Sequence, residues 1–347
     1  MKKLLPFIII VLAVMSCQPS RKYIRIDGYA QGGTYTVKIN IAGVDVPAEE
    51  IRDSVESILT RIDTTLSGYN KGSQLSKLNG GETIVPNSIF RDMYALAYDW
   101  FLQSKGALDF AAGPLFDAWG FGFREGRMPD DATVAAIREQ CGMKLLAGRI
   151  PDGPVTMGGL SISPGTTSLN FNAIAQGYTC DLIASYLYSI GVKDMLVDIG
   201  EIWCDGVNPS GVPWSVGIDM PYDRPTDGSD TAGDKLQGIW SSEGRPCAIV
   251  TSGNYRKYYV KDGKKYAHTI DPRTGYPVEH QLLSATIVSP SRTADADALA
   301  TLCMVIGPEK AKELILSSEG IEGYLVCETD GGMEGWSSPG FALTDER

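Results

Sequence analysis

From Tyr23 onward, segments with helical spacing and segments with strand alternation follow one another in no steady strand–helix–strand rhythm. That order argues against a doubly wound parallel sheet, in which every strand needs its own crossover, and for an α+β architecture. Ile51, Val55, Ile58, Leu59 and Ile62 fall on one helical stripe and predict a helix over 47–66. A second helix is expected over 87–105, ended by Gly106, and a third from Asp130-Asp131. A fourth runs from Asn172 to Ile190 before Gly191, and a fifth from Thr293 to Ile306 before Gly307, with Pro308 opening another. Strands are expected at 23–42, 194–199, 213–218, 247–251, 256–260, 283–289 and 323–328. Residues 221–235 are rich in Asp, Gly, Thr and Pro and read as a surface insertion.

With 347 residues and 43% hydrophobic content, the chain can bury one large catalytic core, and no internal repeat or clean linker divides it. The expectation is one compact unit over 23–340. The formal net charge of −11, with no basic run, argues against nucleic acid as a partner. There are two histidines, His268 and His280, which excludes a site of three imidazoles and argues against zinc hydrolase chemistry.

The first sixteen residues read as an export signal, with Lys2 and Lys3 ahead of the apolar run Leu4–Val14. That run is shorter than the ~20 residues needed to span a bilayer. It stops at Ser16-Cys17, which resembles a bacterial lipobox, so Cys17 is expected to be lipidated and to become the mature N-terminus. The alternative is a plain cleaved signal with an incidental cysteine. Residues 17–22 are then expected to form a tether, which would place the protein in the bacterial cell envelope, lipid-anchored on the periplasmic or outer surface side. The other six cysteines contain no CxxC pair, and Cys180, Cys303 and Cys327 sit in apolar runs. Mostly free, buried thiols and no cysteine metal site are expected.

Five segments carry residue types suited to chemistry. In Thr293–Thr301, Asp297 and Thr301 lie four apart and so project from one helical face. A carboxylate and a hydroxyl are hard oxygen ligands for Mg²⁺ beside a phosphate, or acids that complement the dipole of a helix start. In His268–Pro277, a histidine and Asp271 stand on a stiff Asp-Pro turn, as proton-transfer groups or as turn stabilisers. In Asn170–Tyr178, Asn172 is a candidate N-cap, and Ala173 and Gly177 let a ligand or another helix come close. Gly113–Gly122 combines glycines with aromatics that wrap a flat ring or simply fill a turn. Thr251-Ser252-Gly253-Asn254 reads as a strand-end turn, and Ser252 lacks the G-x-S-x-G context of a nucleophile.

Taken in order, these segments resemble the ApbE family of FAD:protein FMN transferases over about residues 23–340. The strings that carry the likeness are Gly33-Thr34-Tyr35, Ser67-Gly68-Tyr69-Asn70, Gly113-Pro114-Leu115 with Trp119-Gly120-Phe121-Gly122, Ala173-Ile174-Ala175-Gln176-Gly177, Val197-Asp198-Ile199-Gly200, Thr251-Ser252-Gly253, His268-Thr269-Ile270-Asp271-Pro272-Arg273-Thr274-Gly275 and Ala296-Asp297-Ala298-Leu299-Ala300-Thr301.

The resemblance implies an exported enzyme that uses Mg²⁺ to cleave FAD at its pyrophosphate. It passes FMN to a Thr or Ser hydroxyl of an acceptor flavoprotein in an envelope redox complex, and releases AMP. Alternatives are an FAD pyrophosphatase, which yields FMN and AMP, and a flavin-binding lipoprotein without turnover. By the same likeness, the metal is held by Asp297, Thr301 and the carbonyl of Ala173. FAD contacts Gly32, Tyr69, Ala118, Trp119, Gly120, Asn170, Gln176 and His268. His268 and Asp271 are the candidates for taking the acceptor proton. The chain departs from the family at Gly32, where a Met is usual, at Gln176 in place of a lysine, and at Asn170 in place of an acid. One glycine after Ile199 is missing, and Asn254 replaces a common Asp.

Overall fold

A computed structural model describes residues 21–122, 128–163, 165–221, 236–254, 258–261 and 264–344. The signal segment 1–16, Cys17 with most of the tether, and all of the 221–235 insertion but Pro221 lie outside them.

The expected first strand is a hairpin. β1 (Tyr23–Ala30) and β2 (Gly33–Asn40) pair antiparallel across a two-residue turn. Gln31 and Gly32 there both have positive φ, 50° and 84°. That is the turn whose twist matches two right-twisted strands, and Gly32 takes it without Cβ strain. The helices α1 (Ala48–Leu66), α2 (Gln74–Asn79), α3 (Ser88–Gln103), α4 (Gly113–Ala118), α5 (Asp131–Gln140) and α6 (Met157–Leu160) follow. The expected helices at 47–66 and 87–105 are therefore present, and α5 starts where Asp130 accepts a hydrogen bond from the Thr133 amide. The Gly113–Gly122 segment is partly helical rather than a pure turn, because Pro114 in the first turn presets helical φ.

α7 (Ala175–Ser189) leads into β3 (Met195–Asp198), β4 (Ile202–Asp205), β5 (Ser215–Asp219), β6 (Leu236–Ser241) and β7 (Cys247–Gly253). β8 (Tyr258–Lys261), β9 (Lys264–Ala267), β10 (Ile270–Asp271), β11 (Tyr276–Pro277) and β12 (Leu282–Ser289) come next. α8 (Thr293–Ile306), α9 (Pro308–Ser317), β13 (Glu322–Thr329) and β14 (Gly332–Ser337) complete the order. Thr251–Gly253 therefore belongs to a strand, not to a turn at its end: β7 continues because β12 pairs with it as far as Gly253.

One antiparallel eight-stranded sheet, ordered β1-β2-β3-β4-β7-β12-β13-β14, organises the fold. Alternation along β7 splits its two faces. Ala248 and Val250 join the apolar layer beneath the helices, which includes Ala294, Ala298 and Leu302 of α8. Cys247 and Ile249 join a second layer on the opposite face, roofed by Trp214, Ile218 and Trp240 from the β5–β6 region. α8 packs against β7, β12 and α7. Its alanines 294, 296, 298 and 300 are all buried, so little bulk separates it from its neighbours. Among the described residues, no helix is long and apolar enough to cross a membrane.

Candidate active site at the paired starts of two helices

α7 begins at Ala175, not at Asn172. Its preceding residue is Ile174, with φ −146° and no side-chain cap. The Phe171 carbonyl takes the amides of Ile174 and Ala175, at 3.0 Å each, so a tight turn occupies 171–174. Asn172 is exposed and caps nothing; Asn170 Oδ1 accepts its amide at 3.0 Å in an Asx turn.

The first turn of α7 abuts the first turn of α8. A Cβ built on Gly177 would lie 2.6 Å from the Thr293 carbonyl oxygen and 2.8 Å from Ala294 Cα, so only glycine allows this approach. The Gly177 amide donates to Asp297 Oδ2 at 3.1 Å. As a first-turn amide of a helix that begins at Ala175, it has no partner within α7, and Asp297 caps it. Asp297 is 4% exposed, and burial, with a smaller push from Asp181, drives its carboxyl up to about 8. Thr301, one turn further along α8, lies with its Oγ1 3.4 Å from Ser252 Oγ on β7.

A buried carboxylate with one amide partner and a hydroxyl on the same helical face are hard-oxygen donors that suit Mg²⁺, and the Ala173 carbonyl stands two residues ahead of α7 as a further candidate oxygen. No group of three His, Cys, Asp or Glu side chains suited to a metal occurs among the described residues. This set therefore depends on its hydroxyl, its carbonyl and ligand oxygens as well as on Asp297.

The other expected flavin contacts are distributed over the β1–β2 turn, α4, α7 and the loops that follow α1 and β9. Gln31 Nε2 donates to Thr179 Oγ1 at 2.7 Å, which ties the hairpin tip bearing exposed Gly32 to α7. Gln176 Nε2 donates to the Ile199 carbonyl at 3.0 Å. Gly200, at φ +98°, is required there, since a Cβ would fall 2.7 Å from that nitrogen. Tyr69 is 69% exposed, just beyond α1. Trp119 is buried rather than an open platform. Its indole N–H donates to the Gly275 carbonyl at 2.8 Å, and its ring stacks on Tyr266 at 6.0 Å. It thereby pins the loop that carries His268 and Asp271, while Gly120 beside it is exposed and Ala118 half-buried. The His268 ring meets Phe121 edge-on at 6.3 Å. Asp271 is engaged locally: its carboxylate takes Arg273 Nε at 2.9 Å and a terminal guanidinium nitrogen at 2.8 Å.

The chain matches the ApbE family over residues 32–325. It belongs to the ApbE family. It is 31% identical to the FAD:protein FMN transferase of Haemophilus influenzae, over all of this chain and 99% of that one. It is 30% identical to the Escherichia coli K12 FAD:protein FMN transferase, over 88% and 84% of the two chains. Its fold superposes on the apo crystal structure of the Pseudomonas stutzeri flavinyl transferase ApbE with a TM-score of 0.77, at 32% identity, covering 92% of this chain and 95% of that one. The α+β class expected from the sequence is the ApbE fold.

Two supports of this ApbE site escaped the sequence reading. Asp181, on α7, accepts the amides of Thr293 at 2.7 Å and Ala294 at 3.0 Å, and so caps α8 from a neighbouring helix. Burial raises its pKa, against the lowering effect of those amides. Glu201, 8% exposed, accepts the Thr251 amide at 3.3 Å and links the turn beneath Gln176 to β7. Neither pairing carries a local signal, because each joins residues at least fifty positions apart.

Proposed function

We propose that this chain is an FAD:protein FMN transferase that moves FMN from FAD to a Thr or Ser hydroxyl of a partner flavoprotein and releases AMP. The family and the named relatives support transfer from FAD to a protein. The observation that supports the site assignment is the Gly177 amide turned onto Asp297, which holds a buried carboxylate at the start of α7, four residues past Ala173.

Asp297, Thr301 and the Ala173 carbonyl would hold Mg²⁺, which when bound offsets the negative charge of the pyrophosphate oxygens. Around it, the residues bind and orient. Gly32 and Tyr69 face the flavin from the hairpin tip and the end of α1. Asn170 and Gln176 flank the start of α7, where the helix dipole favours phosphate. The Ala118-Trp119-Gly120 stretch holds the 268–271 loop against the site. The acceptor hydroxyl attacks the FMN-side phosphorus, the bond from that phosphorus to the bridging oxygen breaks, and AMP departs with the bridging oxygen. His268 takes the hydroxyl proton. Asp271, clamped to Arg273, holds the loop that presents His268. Lipidation at Cys17 would tether the enzyme in the cell envelope beside an acceptor of a redox complex.

Incubation with FAD and Mg²⁺, with and without a flavoprotein acceptor, tests this reading. AMP formed only with acceptor, with flavin covalently on the acceptor, is the expected result. AMP formed equally without acceptor would make the protein a pyrophosphatase, and bound FAD with no AMP would make it a carrier.

A further inference from the structure

The seam between β4 and β7 joins the two halves of the sheet through three register pairs, Ile202↔Ile249, Trp203↔Ala248 and Cys204↔Cys247. Directly opposed residues on antiparallel strands have Cα atoms about 4.5–5.5 Å apart, inside the range a disulfide spans. Both side chains point into the layer roofed by Trp214 and Trp240, and their Sγ atoms are 3.8 Å apart. A change in side-chain torsion, without strand movement, closes the remaining distance. We propose that Cys204 and Cys247 form a cross-strand disulfide that staples this seam when the chain folds under oxidising conditions.

While the seam is still open to solvent, either thiol can begin the exchange as its thiolate, Cys247 for example. It displaces one sulfur of an oxidant disulfide to give a mixed disulfide. Cys204, losing its proton, then attacks the Cys247 sulfur and expels the second oxidant thiol. Two electrons and two protons pass from the pair, and the oxidant leaves as two thiols. Cys204 is 0% and Cys247 1% exposed, so this exchange belongs to folding, before the tryptophan layer closes over the seam. The closed loop spans residues 204–247 and contains β5, β6 and the 222–235 segment. Constraining it narrows the unfolded ensemble. Cys247 lies five residues before Ser252, about 17 Å along an extended strand, so the staple acts on stability and not on the reacting groups.

The test refolds the full chain at a series of oxidised-to-reduced glutathione ratios, traps free thiols with N-ethylmaleimide, and maps peptides without reductant. The expected product joins the Cys204 and Cys247 peptides, leaves Cys141, Cys180, Cys303 and Cys327 alkylated, and melts roughly 5–10 °C above the reduced protein. Cys204 and Cys247 both alkylated at every ratio, in protein that has regained its native melting transition, would overturn the proposal. So would either cysteine linked to a different one. If refolding fails, native full chain made in an oxidising compartment and unfolded directly into the trapping reagent gives the same readout. In Cys204→Ala/Cys247→Ala the melting midpoint should no longer respond to glutathione; a midpoint that still rises on oxidation also overturns it.

Discussion

The Gly177 amide and the Asp297 carboxylate meet 3.1 Å apart where two helices begin side by side. The contact exists because residue 177 has no Cβ and because α8 adds little bulk at its buried alanines 294, 296, 298 and 300. Through it, one hydrogen bond positions a buried acid and satisfies a first-turn amide of α7.

Asp297→Asn preserves that shape and removes the charge. AMP release from FAD should fall by roughly 100-fold or more, the scale seen when one preorganised electrostatic group is lost. Initial rates at saturating Mg²⁺ measure it, and a variant within threefold of the parent would remove Asp297 from the metal set.

The same carboxyl makes stability depend on pH. Its pKa rises to about 8 in the fold, from about 4 in an unfolded chain. Its contribution is therefore complete below about pH 4 and is lost as pH climbs through about 8. In a chelator, the melting midpoint should fall between pH 5 and pH 8.5 by more in the parent than in Asp297→Asn. Added Mg²⁺ should restore the parent most at the alkaline end. Equal slopes for the two proteins would contradict the assignment. Comparing the pair cancels the buried acids remote from Asp297, such as Asp109 and Asp198, whereas Asp181 titrates together with it.

Gly177→Ala puts a methyl group 2.6 Å from the Thr293 carbonyl. The helices must separate, at a cost of about 1–3 kcal/mol, and the amide leaves Asp297. Chemical denaturation should register the loss, and transferase assays should show a higher Mg²⁺ requirement in the protein that remains folded.

Asp181→Ala strips α8 of its borrowed cap and should cost about 1–2 kcal/mol. Because α8 carries both Asp297 and Thr301, half-saturation by Mg²⁺ should also shift upward. A stability loss with an unchanged Mg²⁺ requirement would confine Asp181 to a purely structural role.

His268→Ala should slow transfer to the acceptor by about 10²–10⁴-fold at saturating FAD, the range for loss of a general base. Raising pH should recover part of the rate, since hydroxide then takes over the proton. Unchanged turnover would exclude this role.

Patterns with period 3.6 proved the most legible part of the chain. The stripe from Ile51 to Ile62, and the Thr293–Ile306 segment closed by Gly307, gave helices with almost the observed ends. Short or exposed elements were not legible. β4 has four residues, β14 (Gly332–Ser337) is nearly all exposed, and neither shows apolar alternation over a useful length. Asn172 failed as a cap because the carbonyl of Phe171 captured the chain two residues too early for its side chain to reach. At the site, spacing alone put Asp297 and Thr301 on one face. What Asp297 touches depended on α7, 120 residues away, and no local pattern encodes that meeting.

The hairpin β1–β2 also sets a timetable. Its inner strand pairs next with β3, Thr36 opposite Asp198, a partner that emerges roughly 160 residues later. At ribosomal speeds that is a delay on the order of ten seconds. Throughout it, β2 presents an open row of amides and carbonyls to anything that can add a strand. A nascent chain of this design needs a companion to shield that edge, and newly made protein deprived of one should aggregate through its first forty residues before its core has formed.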